Sequence, residues 1–505
     1  MLIRSTDIKK MRKKIRQQVR TSGSETSRHG NNIPAVKEIH DRQSAPAVKQ
    51  RSPGHLHPAI FLLFSLLAIF CRPALTAADD GKANLAEIEA RIAAGPAIAD
   101  LLTFALRGNP SIEAARQGWK AEVEGYRVTK AYPDPRISAF YPVETRIGAE
   151  EWGITLSQGI PFPGRLSAEG DVASADISIA RIGYEQAIRD VVIEVRQAAY
   201  ELLYLQEAGK IAAGNRELMG QVMASGTAAY ARDRASLIDL AKAAAQSGQL
   251  QFDEHLLAEL AATEETRLNS LLGRSPATVI GTLTAPPLRF MNHSLEELYL
   301  FAEENRSEIL LAKAALEKSE RGVTVARYRT LPEFDVGLFV NSIKEADPLD
   351  DNGRTGVKEV GATVTLSMPI WFGKNQGQMD SARARAEQAR AEVRARINEA
   401  RAEVSRLFFR LRNAERLVRL YRDELIPQAA KAVETTENWF REGKGSLSDF
   451  TETRTVWYNF QLALARATAD YGQNLAALEG LVGRTLTESA AQTSSVSPAA
   501  EERTP

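Results

Sequence analysis

The chain states one pattern twice. Thr155-Leu156-Ser157 recurs as Thr365-Leu366-Ser367, Ser236-Leu237 with Asp239 recurs as Ser446-Leu447 with Asp449, and Leu271-Leu272-Gly273-Arg274 recurs as Leu481-Val482-Gly483-Arg484, each at an offset of 210 residues. Solenoid repeats run roughly 20–50 residues, so a period this long marks a duplicated half-molecule. A length of 505 residues would accommodate several domains. The duplication instead implies one architecture of two intertwined, pseudo-equivalent halves, with function arising from a ring rather than from a single pocket.

Each half reads helix, strand, strand, long helix, helix. In the first, an amphipathic stretch over 98–131 predicts a helix that stops at Tyr132-Pro133-Asp134-Pro135, because proline blocks its continuation. Strands are expected over 136–141 and 151–160. In the second half a helix over 295–329 stops at Leu331-Pro332, and strands follow near 334–341 and 358–369. The last strand alternates cleanly: Val360, Ala362, Val364, Leu366 and Met368 share one face, and Gly361, Thr363, Thr365 and Ser367 share the other. Such a strand suits the core of a soluble sandwich, or an outer-membrane barrel in which the apolar face meets lipid. Trp152, Phe162, Trp371 and Phe372 stand at strand ends, where interfacial aromatics belong in a barrel.

The long helices carry heptad-like seams. Ile188, Val191, Val195, Ala198, Leu202 and Leu205 step by three or four, as do Ala386, Ala389, Val393, Ile397, Ala400, Val404, Leu407 and Leu411. Two rods of about 60 residues, each ~90 Å long, are expected over 167–230 and 377–440. Both break at equivalent places, before Ser236 and Ser446, whose hydroxyls can cap the returning helices. Asp239 and Asp449 then fall in first helical turns, where the helix dipole favours acids whatever their function. Residues 275–287, rich in proline and threonine, read as a surface connector, and the polar tail 486–505 reads as disordered.

Composition narrows the setting. Residues 1–78 hold 14 lysines and arginines against 4 acids, leaving 50 against 60 over 79–505, a net charge of −10. An acidic chain argues against nucleic acid as a partner. The apolar run Ala59 to Phe70 is too short to span a bilayer, which takes ~20 helical residues. It follows basic residues and precedes Leu75-Thr76-Ala77-Ala78, the pattern of a signal peptide cleaved near Ala77 or Ala78. Its basic lead of about 58 residues is long, which implies a start codon placed too early or an extended leader. Cys71, the single cysteine, follows Phe70 rather than the small residue a lipidation site requires, so no lipid, disulfide or thiol chemistry is expected in the mature chain. No run after residue 78 is long and apolar enough for a membrane helix, so a membrane role would use strands. His255 and His293, the two histidines after the leader, are far apart, and no phosphate loop or catalytic constellation is evident. Neither catalysis nor a bound cofactor or metal is expected.

The chain resembles the TolC-like outer membrane efflux protein family over about residues 96–485. The duplicated halves carry the resemblance, together with Ser157-Gln158-Gly159-Ile160-Pro161-Phe162-Pro163-Gly164-Arg165 and Pro369-Ile370-Trp371-Phe372-Gly373-Lys374-Asn375-Gln376-Gly377, which are similar to the strand-to-helix junctions of the CzcC-like heavy-metal branch. The helical-tip motif of the family resembles Gly443, Gly445, Ser446 and Asp449; the first half departs from it with Asp233 at the usual glycine. The resemblance implies a mainly α fold with a small β part. It implies a homotrimer, whose four strands per subunit close a 12-stranded barrel in outer-membrane lipid, joined to a long periplasmic α-helical barrel. It implies an exit duct of a Gram-negative tripartite efflux system, passively conducting what an inner-membrane pump of the resistance-nodulation-division type expels through a periplasmic adaptor. Heavy-metal cations of the cobalt-zinc-cadmium type are the preferred cargo, with drugs or other small molecules as the alternative. The acidic rings of the family's periplasmic entrance map onto Asp239, Asp449 and Glu452, and its tip turns onto Ser236, Gly443, Gly445 and Ser446. Its gating arginine falls at Gly445, leaving Arg232, Arg234 or Arg441 as stand-ins. The domain reading that follows is leader 1–78, periplasmic segment 79–95, first repeat 96–274, connector 275–294, second repeat 295–485 and tail 486–505. A coiled-coil adaptor or structural rod is the rival from another class; it would have no use for the alternating strand at 360–368.

Overall fold

The computed structural model describes residues 76–143, 150–232, 236–344 and 356–487, all within one unit spanning 75–505. The leader before residue 76, Cys71, Asp233, Arg234 and the tail beyond residue 487 lie outside the described residues. Helix α1 (Thr76–Ala94) crosses the position at which the sequence places the end of the leader.

The first half continues with α2 (Ile98–Gly108), α3 (Pro110–Lys130), β1 (Arg136–Phe140), β2 (Glu150–Ile160), α4 (Arg165–Tyr230) and α5 (Leu237–Leu272). The second repeats the order as α6 (Leu295–Asn305), α7 (Ser307–Tyr328), β3 (Glu333–Lys344), β4 (Gly356–Ser367), α8 (Phe372–Arg419), a π-helical segment (Leu420–Leu425), α9 (Ile426–Arg441) and α10 (Leu447–Val482).

Three expectations are corrected. The single opening helix of each half is two helices. Asn109 breaks the first: its side chain accepts from the backbone N–H of Ser111 and Ile112, and Pro110 takes the first helical position, where a missing N–H costs nothing. The Asn109 amide also donates to the Leu271 carbonyl at 2.8 Å, tying this corner to the end of α5. The second breaks at Arg306, where Arg189 of α4 donates to the Asn305 carbonyl and to Ser307 Oγ. The second rod is not continuous either. An unbroken reading overlooks Pro427, which lacks an N–H to donate back into the preceding turn; the helix widens just before it, and Ile426 N–H bonds the Tyr421 carbonyl five residues back. The first rod, α4, does run 66 residues without a break, about 100 Å. Finally, the connector is not merely superficial. Ile280, Leu283 and Met291 are buried, and the Tyr471 hydroxyl donates to the Arg289 carbonyl while accepting from Met291 N–H. That burial pushes the Tyr471 phenol up to about 12.

The four strands form one antiparallel sheet in the order β1-β2-β3-β4. The helices that run into and out of these strands keep the same order: α3 packs on α4, α4 on α7, and α7 on α8. Farther from the sheet, α5 packs on α4, α4 on α10, and α10 on α8 and α9. The unit is therefore a wall four elements wide, with edges at β1, α3 and α5 on one side and β4, α8 and α9 on the other. The seams read from the sequence hold it together. Val191, Val195, Ala198 and Leu202 of α4 are buried against α2, and Val404, Leu407 and Leu411 of α8 against α6 and α10. Between α4 and α10, Arg466 donates to both carboxylate oxygens of Glu201, and Arg196 pairs with Glu479.

Candidate functional site

The residues singled out in the sequence gather in two regions: one face of the sheet, and the tips of the two helical hairpins.

The sheet register aligns the apolar positions of all four strands. Ile137 stands across from Leu156, Ala139 from Ile154, Leu156 from Leu338 and Ile154 from Val340. Phe334, Val336, Leu338 and Val340 stand across from Leu366, Val364, Ala362 and Val360. Strand side chains alternate between faces, so these residues form one continuous apolar face. Nothing in the described chain covers it: Val360 and Val364 are each 73% exposed and Leu338 is 62% exposed. The opposite face carries Gly153, Thr155 and Ser157 on β2, Asp335, Gly337 and Asn341 on β3, and Thr363, Thr365 and Ser367 on β4. On this polar face the Phe339 ring fills the space over Gly361, which a side chain at 361 would occupy. A sandwich core would require the apolar face to be buried, and it is not. β2, β3 and β4 run 11, 12 and 12 residues, enough to cross a bilayer at a tilt, which takes ~9–11. Four of the five residues Val360, Ala362, Val364, Leu366 and Met368 lie on β4; Met368 lies one residue beyond its end and is exposed too. Trp371 and Phe372, at the junction with α8, are exposed. Phe162 instead tilts against Tyr328.

At the other end of the wall, α4 turns into α5 and α9 into α10. Ser236 Oγ accepts from Ile238 N–H at 3.1 Å and Ser446 Oγ from Asp449 N–H at 3.0 Å, so both serines cap as their sequence position requires. The second turn closes with Gly443 in the left-handed region at φ +72°. Gly443 N–H bonds the Phe440 carbonyl and Lys444 N–H the Trp439 carbonyl, a pattern that needs this backbone conformation and therefore favours glycine. Gly445 packs close to Trp439. Asp239 and Asp449 lie in the first turns of α5 and α10, Glu452 one turn farther on, and Asp449 and Glu452 are exposed. The structure brings the two hairpin tips together, since Leu447 of the second sits over Gly226 and Leu240 of the first.

The arginines read as stand-ins at the mouth separate. Arg441 pairs with Glu437 of its own helix, and Arg232 is exposed at the first turn. The sequence reading missed Arg454, which is buried between α9 and α10. The signal was available: Phe450, Arg454 and Trp457 follow at helical spacing on one face. His255 is exposed and His293 lies beside Glu297. No group of three or more potential metal ligands gathers among the described residues, and none of the described helices is long and apolar enough to cross a membrane.

Comparison with known proteins agrees with this geometry. The family model described as outer membrane efflux protein matches twice, over residues 101–274 and 298–484. Over 433 residues, 84% of this chain and 99% of the relative, the sequence is 22% identical to the cobalt-zinc-cadmium resistance protein CzcC of Cupriavidus metallidurans. Among solved structures, the outer membrane protein VceC of Vibrio cholerae superposes with a TM-score of 0.64 at 18% identity, covering 77% of this chain and 96% of that one. CusC, whose structures describe folding and transmembrane channel formation, superposes with a TM-score of 0.65 at 15% identity, covering 77% and 92%.

Proposed function

The chain belongs to the outer membrane efflux protein family, and from that premise we propose that it is the passive exit duct of a tripartite efflux system, assembled from three copies. The observation that carries the reading is the four-element wall. An exposed apolar sheet face belongs in lipid, but open strand edges cannot, because their unpaired backbone groups have no partner there. Among the described residues, one chain offers four strands and two open edges. Three copies joined edge to edge close a 12-stranded barrel and, below it, a ring of helices in the same order. The outer membrane holds the sheet, and the helices reach about 100 Å into the periplasm.

Energy comes from an inner-membrane pump of the resistance-nodulation-division type, reached through a periplasmic adaptor; the duct itself performs no chemistry. The preferred cargo is heavy-metal cations. The cobalt-zinc-cadmium resistance named in the CzcC relative supports this, as do the carboxylates of Asp239, Asp449 and Glu452 near the hairpin tips. The mature chain has no cysteine and two histidines, so it offers few soft ligands, and discrimination among metals falls to the pump.

In the assembled duct, Asp239, Asp449 and Glu452 form acidic rings at the periplasmic mouth. Repeated charges in a constriction raise the local concentration of cations. The double substitution Asp449→Asn with Glu452→Gln keeps size and helix start. It should lower cation-over-anion selectivity in planar bilayers while leaving the yield of assembled protein unchanged. Were the acids present only to favour the helix dipole, the variant would lose at most ~1 kcal/mol of tip stability and keep its selectivity. Unchanged reversal potentials under a salt gradient would therefore refute the rings.

A further inference from the structure

The polar face of the sheet holds two side chains that do not suit a wetted surface. Strand alternation puts Arg136, Ser138 and Phe140 on this face of β1, and Asp335, Gly337, Phe339 and Asn341 on this face of β3. The other described side chains of the face, on all four strands, are glycine, hydroxyl, amide or charged residues. The register sets the two rings at neighbouring levels. Phe339 stands between Thr155 and Gly361. Phe140 stands across from Gly153, Gly153 from Asn341, and Asn341 from Glu359, which is exposed. Two residues of strand separate the levels, about 7 Å. Two aromatic rings and a carboxylate therefore share a narrow band of this face.

An apolar ring left against water forgoes the free energy that burial would give it. Packing over a glycine accounts for one ring: Phe339 covers the backbone at Gly361. It does not account for the other, because the Asn341 side chain fills the space above Gly153. Phe140 is left 54% exposed. What the band can do is attract a cation whose charge lies within an apolar shell, since aromatic faces and a carboxylate both favour it. A hydrated divalent metal ion gives up its water reluctantly and gains little from a phenyl face. A tetraalkylammonium ion holds water weakly and suits both groups.

We propose that Phe140, Phe339 and Glu359 of the three copies form an aromatic collar inside the barrel that binds bulky organic cations of the quaternary ammonium class. The collar lies within the sheet, at the opposite end of the wall from the acidic hairpin tips. Hydrated metal ions pass it, and organic cations dwell on it. The inference rests on the three-copy duct reading.

The test uses the full mature protein in planar bilayers, with tetrabutylammonium chloride as the probe. Native protein is compared with Phe339→Leu, Phe339→Tyr and Phe140→Leu. Leucine keeps apolar bulk and removes the aromatic face, whereas tyrosine keeps the face. The concentration that halves single-channel conductance should rise at least about fivefold in each leucine variant and stay within about twofold of native in Phe339→Tyr. Equal block of native protein and both leucine variants, or no block of the native channel, would overturn the collar. Should Phe339→Leu fail to assemble, Phe140→Leu, whose ring covers no glycine, carries the same expectation alone. If the native protein does not conduct, the duct reading fails by itself. Equilibrium dialysis of tetrabutylammonium against the purified protein then reads the collar. Retention about fivefold greater for native protein than for Phe140→Leu supports it, and equal retention overturns it.

Discussion

Val364→Arg should remove the protein from the outer membrane. Val364 lies in the middle of β4, 73% exposed and flanked on the same face by Ala362, Leu366 and, across the strand pair, Val336. If that face meets hydrocarbon, an arginine there costs about 2–4 kcal/mol near the bilayer midplane. The cost is paid in every subunit of the assembly, against a total domain stability of roughly 5–15 kcal/mol. Thr365→Arg is the control. Its side chain points to the polar face and stands across from Asp335, which already receives Arg136. The expected outcome is loss of Val364→Arg from the membrane fraction after carbonate washing and retention of Thr365→Arg. Equal recovery of the two would mean that the apolar face does not meet lipid.

The second large effect is expected at Leu237, from the repeat rather than from the membrane. Leu447 of the second hairpin is 1% exposed and sits over Gly226, so close that a side chain at 226 would collide with it. Leu237 is its counterpart 210 residues earlier, yet it is 62% exposed. The counterpart of Gly226 is Thr436, on α9 at the opposite edge of the wall. If copies join edge to edge with the spacing that joins the halves within one chain, Leu237 of each copy is buried near Thr436 of the next. Phe252, Leu256 and Leu260 make an exposed apolar row along the same helix, α5. Leu237→Asp forfeits about 2 kcal/mol of burial at each junction and adds the cost of a buried carboxylate. Trimer recovered on seminative gels should fall at least tenfold, while helix content by circular dichroism stays within a few percent of the native protein. Trimer yield equal to native would show that copies do not meet along this edge.

Much of this was legible in the sequence because the signals are local or periodic. The alternation of Val360 to Leu366 fixes one strand and its two faces. The three-and-four spacing of Val191 to Leu205 fixes a seam, and Ser236 and Ser446 mark where helices restart. What escaped was set by single residues acting against a strong pattern. The helical period over 98–131 continues through Asn109-Pro110, but proline is as comfortable opening a helix as it is disruptive inside one, so the pattern alone does not reveal the corner. Pro427 hides in the same way in a run of alanine, glutamate and arginine, and its effect is a widened turn rather than an end. Burial of Ile280, Leu283 and Met291 depends on contacts with α1, α4 and α10, segments far away in sequence. Arg454 escaped because charge in a helix is ordinarily a solvated face; its helical spacing with Phe450 and Trp457 marks a shared face, and the packing of α9 on α10 buries it. The alternative of a rod without a barrel has no place for a four-stranded sheet that leaves its apolar face uncovered.

The account stands or falls on closure of the wall by identical copies. Native mass spectrometry of the mature protein extracted in mild detergent measures this directly. The expected result is a complex of three chains that persists until the detergent is stripped, with each chain beginning near Asp79, without Cys71 and without lipid. A stable single chain retaining its full β content would contradict the account, because four strands with two free edges cannot close a barrel by themselves.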